Sequence, residues 1–138
     1  MLNDSEISGC RCAELIRDLE IEISFLEGLV RRLPSDIETL QVLGDHYCRL
    51  GRYGDSLRID QRLATLCPDD QVAFYNLGCS LCRNGQLDAA ADALIQAIDL
   101  GFRDDSFLDQ DPDLSALRAH HAFQRVARHW KRLAPTAG

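Results

Sequence analysis

The sequence predicts an all-α fold in which a helical unit repeats along the chain as a solenoid. Two observations lead to this prediction. Shifting the sequence by 34 residues aligns it with itself, and internal periods of about 20–50 residues are typical of solenoids. Apolar residues near the N-terminus also recur every three or four positions, which is the spacing of one helix face. The length of 138 residues and the 46% hydrophobic content suit one globular domain.

An amphipathic helix is predicted from Cys12 to Leu33. It ends before Pro34, which cannot continue a helix, and we assign residues 10–36 to this N-terminal half-repeat. Residues 1–9 show no periodicity and are expected to be disordered. The apolar face of the helix is expected to contain Leu15, Leu19, Ile21, Ile23, Leu26, Leu29 and Val30.

Two tandem copies of the repeat are predicted, at residues 37–70 and 71–104. Asp36 and Asp70 precede them, and an aspartate there suits a helix N-cap. In the 34-residue alignment, Leu43-Gly44 pairs with Leu77-Gly78, Gly51 with Gly85, and Pro34 with Pro68. Gly51 and Gly85 are each expected to follow a helix and to adopt a left-handed conformation there.

This spacing resembles the tetratricopeptide repeat (TPR), whose signature is W-x2-L-G-x2-Y, then A-x3-F, then P. The first copy reads Leu40-x2-Leu43-Gly44-x2-Tyr47, Ser56-x3-Asp60, Pro68, and the second reads Phe74-x2-Leu77-Gly78-x2-Leu81, Ala90-x3-Leu94. Two positions depart from the pattern: Asp60 replaces the aromatic residue, and Phe102 replaces the second closing proline.

The resemblance implies that each copy is a pair of antiparallel helices. Gly44 and Gly78 would lie where the two helices of a pair cross closely. Stacked pairs form a superhelix whose first helices line a concave groove.

Residues 105–138 are predicted to form degenerate capping helices. A third copy would place Pro112 inside a helix, where proline interrupts the hydrogen-bond ladder. We therefore expect a short helix at about 112–118 and a last helix at about 121–133. The apolar face of the last helix would contain Phe123, Val126, Ala127, Trp130 and Leu133.

The resemblance implies an adaptor that binds a protein or peptide segment in the concave groove. Seven residues are expected to face or border that groove: Gln41, Asp45, Cys48, Tyr75, Asn76, Cys79 and Cys82. Tyr75 is the expected anchor, with its side chain outside the core, because tyrosine is favoured at interface hot spots. Asp45 favours a basic or amide-rich ligand. The partner itself is not identified by the sequence.

Two alternatives remain open at this stage. One is a chaperone resembling the small TPR chaperones of secretion systems, which are also short and acidic. The other is a cysteine-based metal or redox sensor. We expect no metal or cofactor, because Cys79 and Cys82 lie on one helix, without the turn usual between paired zinc ligands. His120, His121 and His129 are expected to be surface residues.

Charge and motif content exclude several other functions. The net charge of −7 argues against nucleic-acid binding, because phosphate affinity comes from lysine and arginine. No apolar run approaches the ~18 residues of a membrane span, and the lack of an export signal predicts a cytoplasmic protein. No phosphate loop or nucleophile elbow is present, so no enzyme activity is expected. A basic cluster near the C-terminus contains Arg118, Arg125, Arg128, Lys131 and Arg132. The last helix, which carries the final four of these residues, is a candidate for self-association.

Overall fold

The predicted all-α architecture is confirmed in a computed structural model of the protein, which describes residues 4–133 apart from the side chains of residues 4–8 and 10. Every regular element in that range is helical. The helices are α1 (Asp4–Arg32), α2 (Ile37–Arg49), α3 (Tyr53–Leu66), α4 (Gln71–Arg83), α5 (Leu87–Asp99), α6 (Ser115–Arg118) and α7 (Phe123–Leu133). Two 3-10 turns, Asp105–Leu108 and Pro112–Leu114, connect α5 to α6. None of the described helices is long and apolar enough to cross a membrane.

Helices α2 and α3 form one packed pair, and α4 and α5 form the next. The predicted caps start the first helix of each pair: Asp36 accepts a hydrogen bond from Thr39 N at 3.2 Å, and Asp70 accepts one from Val72 N at 2.9 Å. Gly51 and Gly85 follow these helices with φ angles of 73° and 75°. A residue with a Cβ is strained at such angles, which explains glycine at both turns.

The second residue of each Leu-Gly pair lies at a close helix crossing, as predicted. A Cβ atom on Gly44 would lie 3.1 Å from Ile59 Cγ2, and one on Gly78 would lie 2.9 Å from Leu94 Cδ2. The helices of each pair therefore approach so closely that any larger residue would have to displace a core side chain.

Helix α1 differs from the sequence expectation in its start and in its buried face. It begins at Asp4, whereas the predicted start was Cys12, so residues 4–9 lie in the helix and residues 1–3 lie outside the described part. Leu19 and Ile23 are buried against the core, but Leu15 and Ile21 are 63% and 65% exposed.

The C-terminal segment folds back over the second helix pair. The turn at Pro112–Leu114 packs against α4, and α7 packs along α5. Four apolar side chains of this segment are completely or almost completely buried: Phe107, Leu114, Leu117 and Val126. The predicted short helix at 112–118 is a 3-10 turn followed by α6, and the last helix starts two residues later than predicted.

Candidate functional site

A cavity of about 280 Å³ opens between the first helices of the two pairs. Six of the seven predicted groove residues line it together: Gln41, Asp45, Cys48, Tyr75, Asn76 and Cys79. Cys82 lies elsewhere, since it is only 4% exposed and belongs to the core formed with Leu114 and Leu117. It is three residues from Cys79 and so adjoins it on α4, but its thiol lies against the Leu117 backbone of α6 rather than in the cavity.

Four charged residues that were not predicted to face the groove complete the cavity wall. Asp60 comes from α3, Arg83 from α4, and Asp111 and Asp113 from the C-terminal segment. With Asp45, the wall thus carries four carboxylates and one guanidinium group. Arg83 Nη1 lies 2.8 Å from Asp113 Oδ2, so the single cation is already paired. The cavity is therefore acidic and suits a positively charged ligand.

Asp60 is a partly buried acid of the cavity. It stands where the repeat signature has an aromatic residue, and it accepts a hydrogen bond from the Ser80 hydroxyl of the neighbouring helix. Burial raises the pKa of its carboxyl group, although this hydrogen bond and Arg83 oppose the rise. The departure from the signature was the one sequence signal that could have identified this residue.

Tyr75 is held by the C-terminal segment, which corrects the expectation that its side chain stands outside the core. Its hydroxyl donates a hydrogen bond to Asp111 Oδ2 at 2.5 Å. Its ring stacks on Phe102 with centroids 4.3 Å apart and packs against the larger core cluster. Burial and the neighbouring Asp111 carboxylate raise the pKa of Tyr75 well above its usual value. The side chain therefore fixes the cavity wall in place.

Comparison with known proteins identifies the repeat. A model described as a tetratricopeptide repeat matches residues 39–72, which cover almost all of the first predicted copy. The matched segment contains most of α2, the Gly51 turn and all of α3, the elements on one side of the cavity. This chain contains a tetratricopeptide repeat.

Solved structures resemble this TPR protein along most of its length. "MamA MSR-1 C2" is 20% identical with a TM-score of 0.59, and the match covers 85% of this chain and 70% of that one. "MamA RS-1 ArsTM double mutant" is 18% identical with a TM-score of 0.61, covering 91% and 73%. "Crystal structure of MamA" is 19% identical with a TM-score of 0.60, covering 96% and 85%. At these identities the likeness shows a shared fold. No curated protein matches the sequence.

The cysteines of this TPR protein differ in their surroundings. The thiol of Cys48 lies 2.9 Å from Ser56 Oγ and accepts a hydrogen bond from Arg83 Nη2 at 3.4 Å. Cys79 is 5% exposed, and burial together with the nearby Asp111 carboxylate raises the pKa of its thiol to about 12. Since the thiolate is the reactive form, Cys79 is held in its unreactive state near neutral pH.

Two groups of side chains bring three possible metal ligands within 4.8 Å of one another. One joins Cys79 with Asp111 and Asp113 at the cavity, and the other joins Asp88 with the predicted surface residues His120 and His121. In the cavity group a metal ion would have to deprotonate a thiol with a raised pKa and compete with the guanidinium group of Arg83. Both conditions disfavour metal binding there.

Proposed function

We propose that this protein is a non-catalytic adaptor that binds a basic segment of another protein in the concave cavity. The observation that carries the proposal is the composition of the cavity wall, where four carboxylates face one guanidinium group. A lysine or arginine side chain entering the cavity would compensate this excess of negative charge.

The exposed polar residues of the first helices suit an extended peptide. Gln41, Asp45 and Asn76 are all exposed at the cavity. Side-chain amides both donate and accept hydrogen bonds, so Gln41 and Asn76 can pair with peptide groups of a bound segment. Asp45 is 63% exposed, and its only ion pair in the described chain is with Arg49, one turn along α2. Because both partners of this pair are exposed, a cationic ligand can compete with Arg49 for the carboxylate.

The chemistry of the cavity favours binding over catalysis. A nucleophilic cysteine is activated by a lowered pKa, whereas the pKa values of Cys79 and Tyr75 are both raised. The proposed role accordingly needs recognition of charge and shape, with no covalent step.

Charge reversal at Asp45 tests the proposal. Three proteins would be immobilised: wild type, Asp45→Lys and Asp69→Lys. Each would be used to capture proteins from a lysate of the native host, and the captured proteins would be identified by mass spectrometry. Asp69 is the matched control, because it is an exposed acid in the turn before α4 and outside the cavity. We expect one or more proteins to be retained by wild type and Asp69→Lys but lost with Asp45→Lys.

A peptide measurement then locates the ligand. The basic segments of each captured protein would be synthesised as peptides and titrated against wild type, Asp45→Lys and Asp69→Lys. We expect Asp45→Lys to weaken binding at least about tenfold, because it places a like charge against the ligand. Equal affinity for wild type and Asp45→Lys would show that the cavity is not the binding site.

A further inference from the structure

The outer face of α1 carries two large apolar side chains in the middle of the helix. Ile21 and Phe25 are 65% and 66% exposed. Residues four apart on a helix are neighbours, so the two form one patch, on the side of α1 turned away from Leu19 and Ile23 in the core. Such a patch favours an interaction partner.

The patch lies within a longer row of residues along α1. The row repeats at alternating steps of four and three, the heptad spacing of helices that pack side by side, and contains Glu14, Asp18, Ile21, Phe25, Gly28 and Arg32. The row is symmetric about position 23, so that each residue has an equivalent at the same distance on the other side. Glu14 is equivalent to Arg32, Asp18 to Gly28, and Ile21 to Phe25.

We propose that this row pairs with the same row of a second copy of the chain, with the two α1 helices antiparallel. In this dimer, Ile21 packs on Phe25 of the second copy, and Glu14 pairs with Arg32 of the second copy. Each contact occurs twice because a two-fold axis makes the interface self-complementary. The paired stretch, from residue 14 to residue 32, is about 27 Å long at 1.5 Å per residue.

Charge determines the direction of pairing. A parallel arrangement would oppose Glu14 to Glu14 and Arg32 to Arg32, whereas the antiparallel one opposes unlike charges at both ends. In the described part of the chain, neither Glu14 nor Arg32 takes part in an ion pair, so both are free to form one with the second copy. Gly28 has no side chain, and the nearest atom to a Cβ placed there would be Arg31 Nη2 at 3.8 Å, so the helices can approach closely opposite Asp18.

The proposed interface is separate from the cavity. All cavity-lining residues lie between 41 and 113, outside α1. It also differs from the basic last helix, where Arg125 already contacts Asp92 of α5 at 2.8 Å. The inference therefore does not depend on the proposed adaptor function, and a dimer would present two cavities to a partner.

Sedimentation velocity over a range of protein concentrations tests the inference. We expect reversible monomer–dimer association of wild type and loss of the dimer in Phe25→Glu. Val72→Glu is the control, because Val72 is a 53% exposed apolar residue on α4, away from the row. It should associate as wild type does, and far-UV circular dichroism would confirm that both variants are folded.

A charge exchange tests the antiparallel register. Glu14→Arg and Arg32→Glu each oppose like charges in both symmetric contacts between positions 14 and 32. Each single variant should therefore weaken association roughly tenfold or more. The double variant Glu14→Arg, Arg32→Glu restores unlike pairs and should associate close to wild type. A wild type that stays monomeric at all concentrations, a dimer indifferent to Phe25→Glu, or a double variant no better than the single ones would each overturn the proposal.

Discussion

Replacing Gly78 with alanine tests the close helix crossing on which the second repeat depends. The added Cβ atom would lie 2.9 Å from Leu94 Cδ2 and 3.0 Å from Leu94 Cγ. Optimal carbon–carbon separations are about 3.5–4.0 Å, so Leu94 must move. It is only 2% exposed and belongs to the larger core cluster, so its movement disturbs other core residues.

The expected magnitude follows from two opposing effects. Alanine is favoured over glycine in a helix interior by about 0.8–1.0 kcal/mol. Overpacking of a core costs about 1–3 kcal/mol, and contact with two Leu94 carbons places Gly78 in the upper part of that range. We expect Gly78→Ala to lower the free energy of unfolding by about 1–2 kcal/mol, with a fall of several degrees in the melting temperature.

Chemical and thermal unfolding, followed by circular dichroism, would measure this loss. Gly54→Ala is the control, because a Cβ on this α3 glycine meets only Asn84 Oδ1, at 4.0 Å. It should leave stability unchanged or raise it slightly. In a Leu94→Ala background the colliding atoms are absent, so Gly78→Ala should there be neutral or stabilising, with a coupling of about 1–3 kcal/mol in the double-mutant cycle.

The reasoning would be refuted if Gly78→Ala were as stable as wild type. It would also fail if the cost of Gly78→Ala were the same with leucine and with alanine at position 94, since the loss would then not arise from the collision with Leu94.

Four further outcomes are expected. Tyr75→Phe should lower the free energy of unfolding by about 1.5–3 kcal/mol, because it removes a hydrogen bond to the charged Asp111; an unchanged urea midpoint would contradict this. At mildly alkaline pH, iodoacetamide should modify exposed Cys12 long before buried Cys79, as peptide mapping would reveal, because burial raises the pKa of Cys79 to about 12. Because burial raises the pKa of Asp60 above its usual value of 3.8, the folded state holds more protons than the unfolded state, and stability is lost as pH rises through the folded-state pKa. Asp60→Asn should therefore lessen the fall in melting temperature as pH rises above the usual aspartate pKa of 3.8; a parallel fall in both proteins would argue against it. Protein purified without chelator should contain far less than one equivalent of zinc by elemental analysis, and chelator should leave its helical content intact.

The sequence by itself determined the features that depend on local geometry. The helix caps at Asp36 and Asp70 and the turns at Gly51 and Gly85 follow from backbone preferences of single residues, so their recurrence after 34 positions located both helix pairs. The crossings at Gly44 and Gly78 were also predictable, because the resemblance to the tetratricopeptide repeat implies that its glycine lies where the two helices of a pair cross. Gln41 and Tyr75 line the cavity together, as do Asp45 and Cys79, because residues 34 positions apart occupy equivalent helix positions. The period alone did not decide the outcome at Cys48 and Cys82, since only Cys48 lines the cavity.

Only the tertiary structure decided how the C-terminal segment completes the cavity. Asp111 meets Tyr75 across 36 positions of sequence, and Asp113 meets Arg83 across 30. Neither sequence separation is a multiple of the 34-residue period, because the capping segment does not follow the repeat. The repeat pattern therefore could not predict these contacts. The same segment buries Cys82 in the core, whereas Ile21 on α1 remains exposed. An apolar pattern identifies a helix face, but whether that face is buried depends on which distant element packs against it.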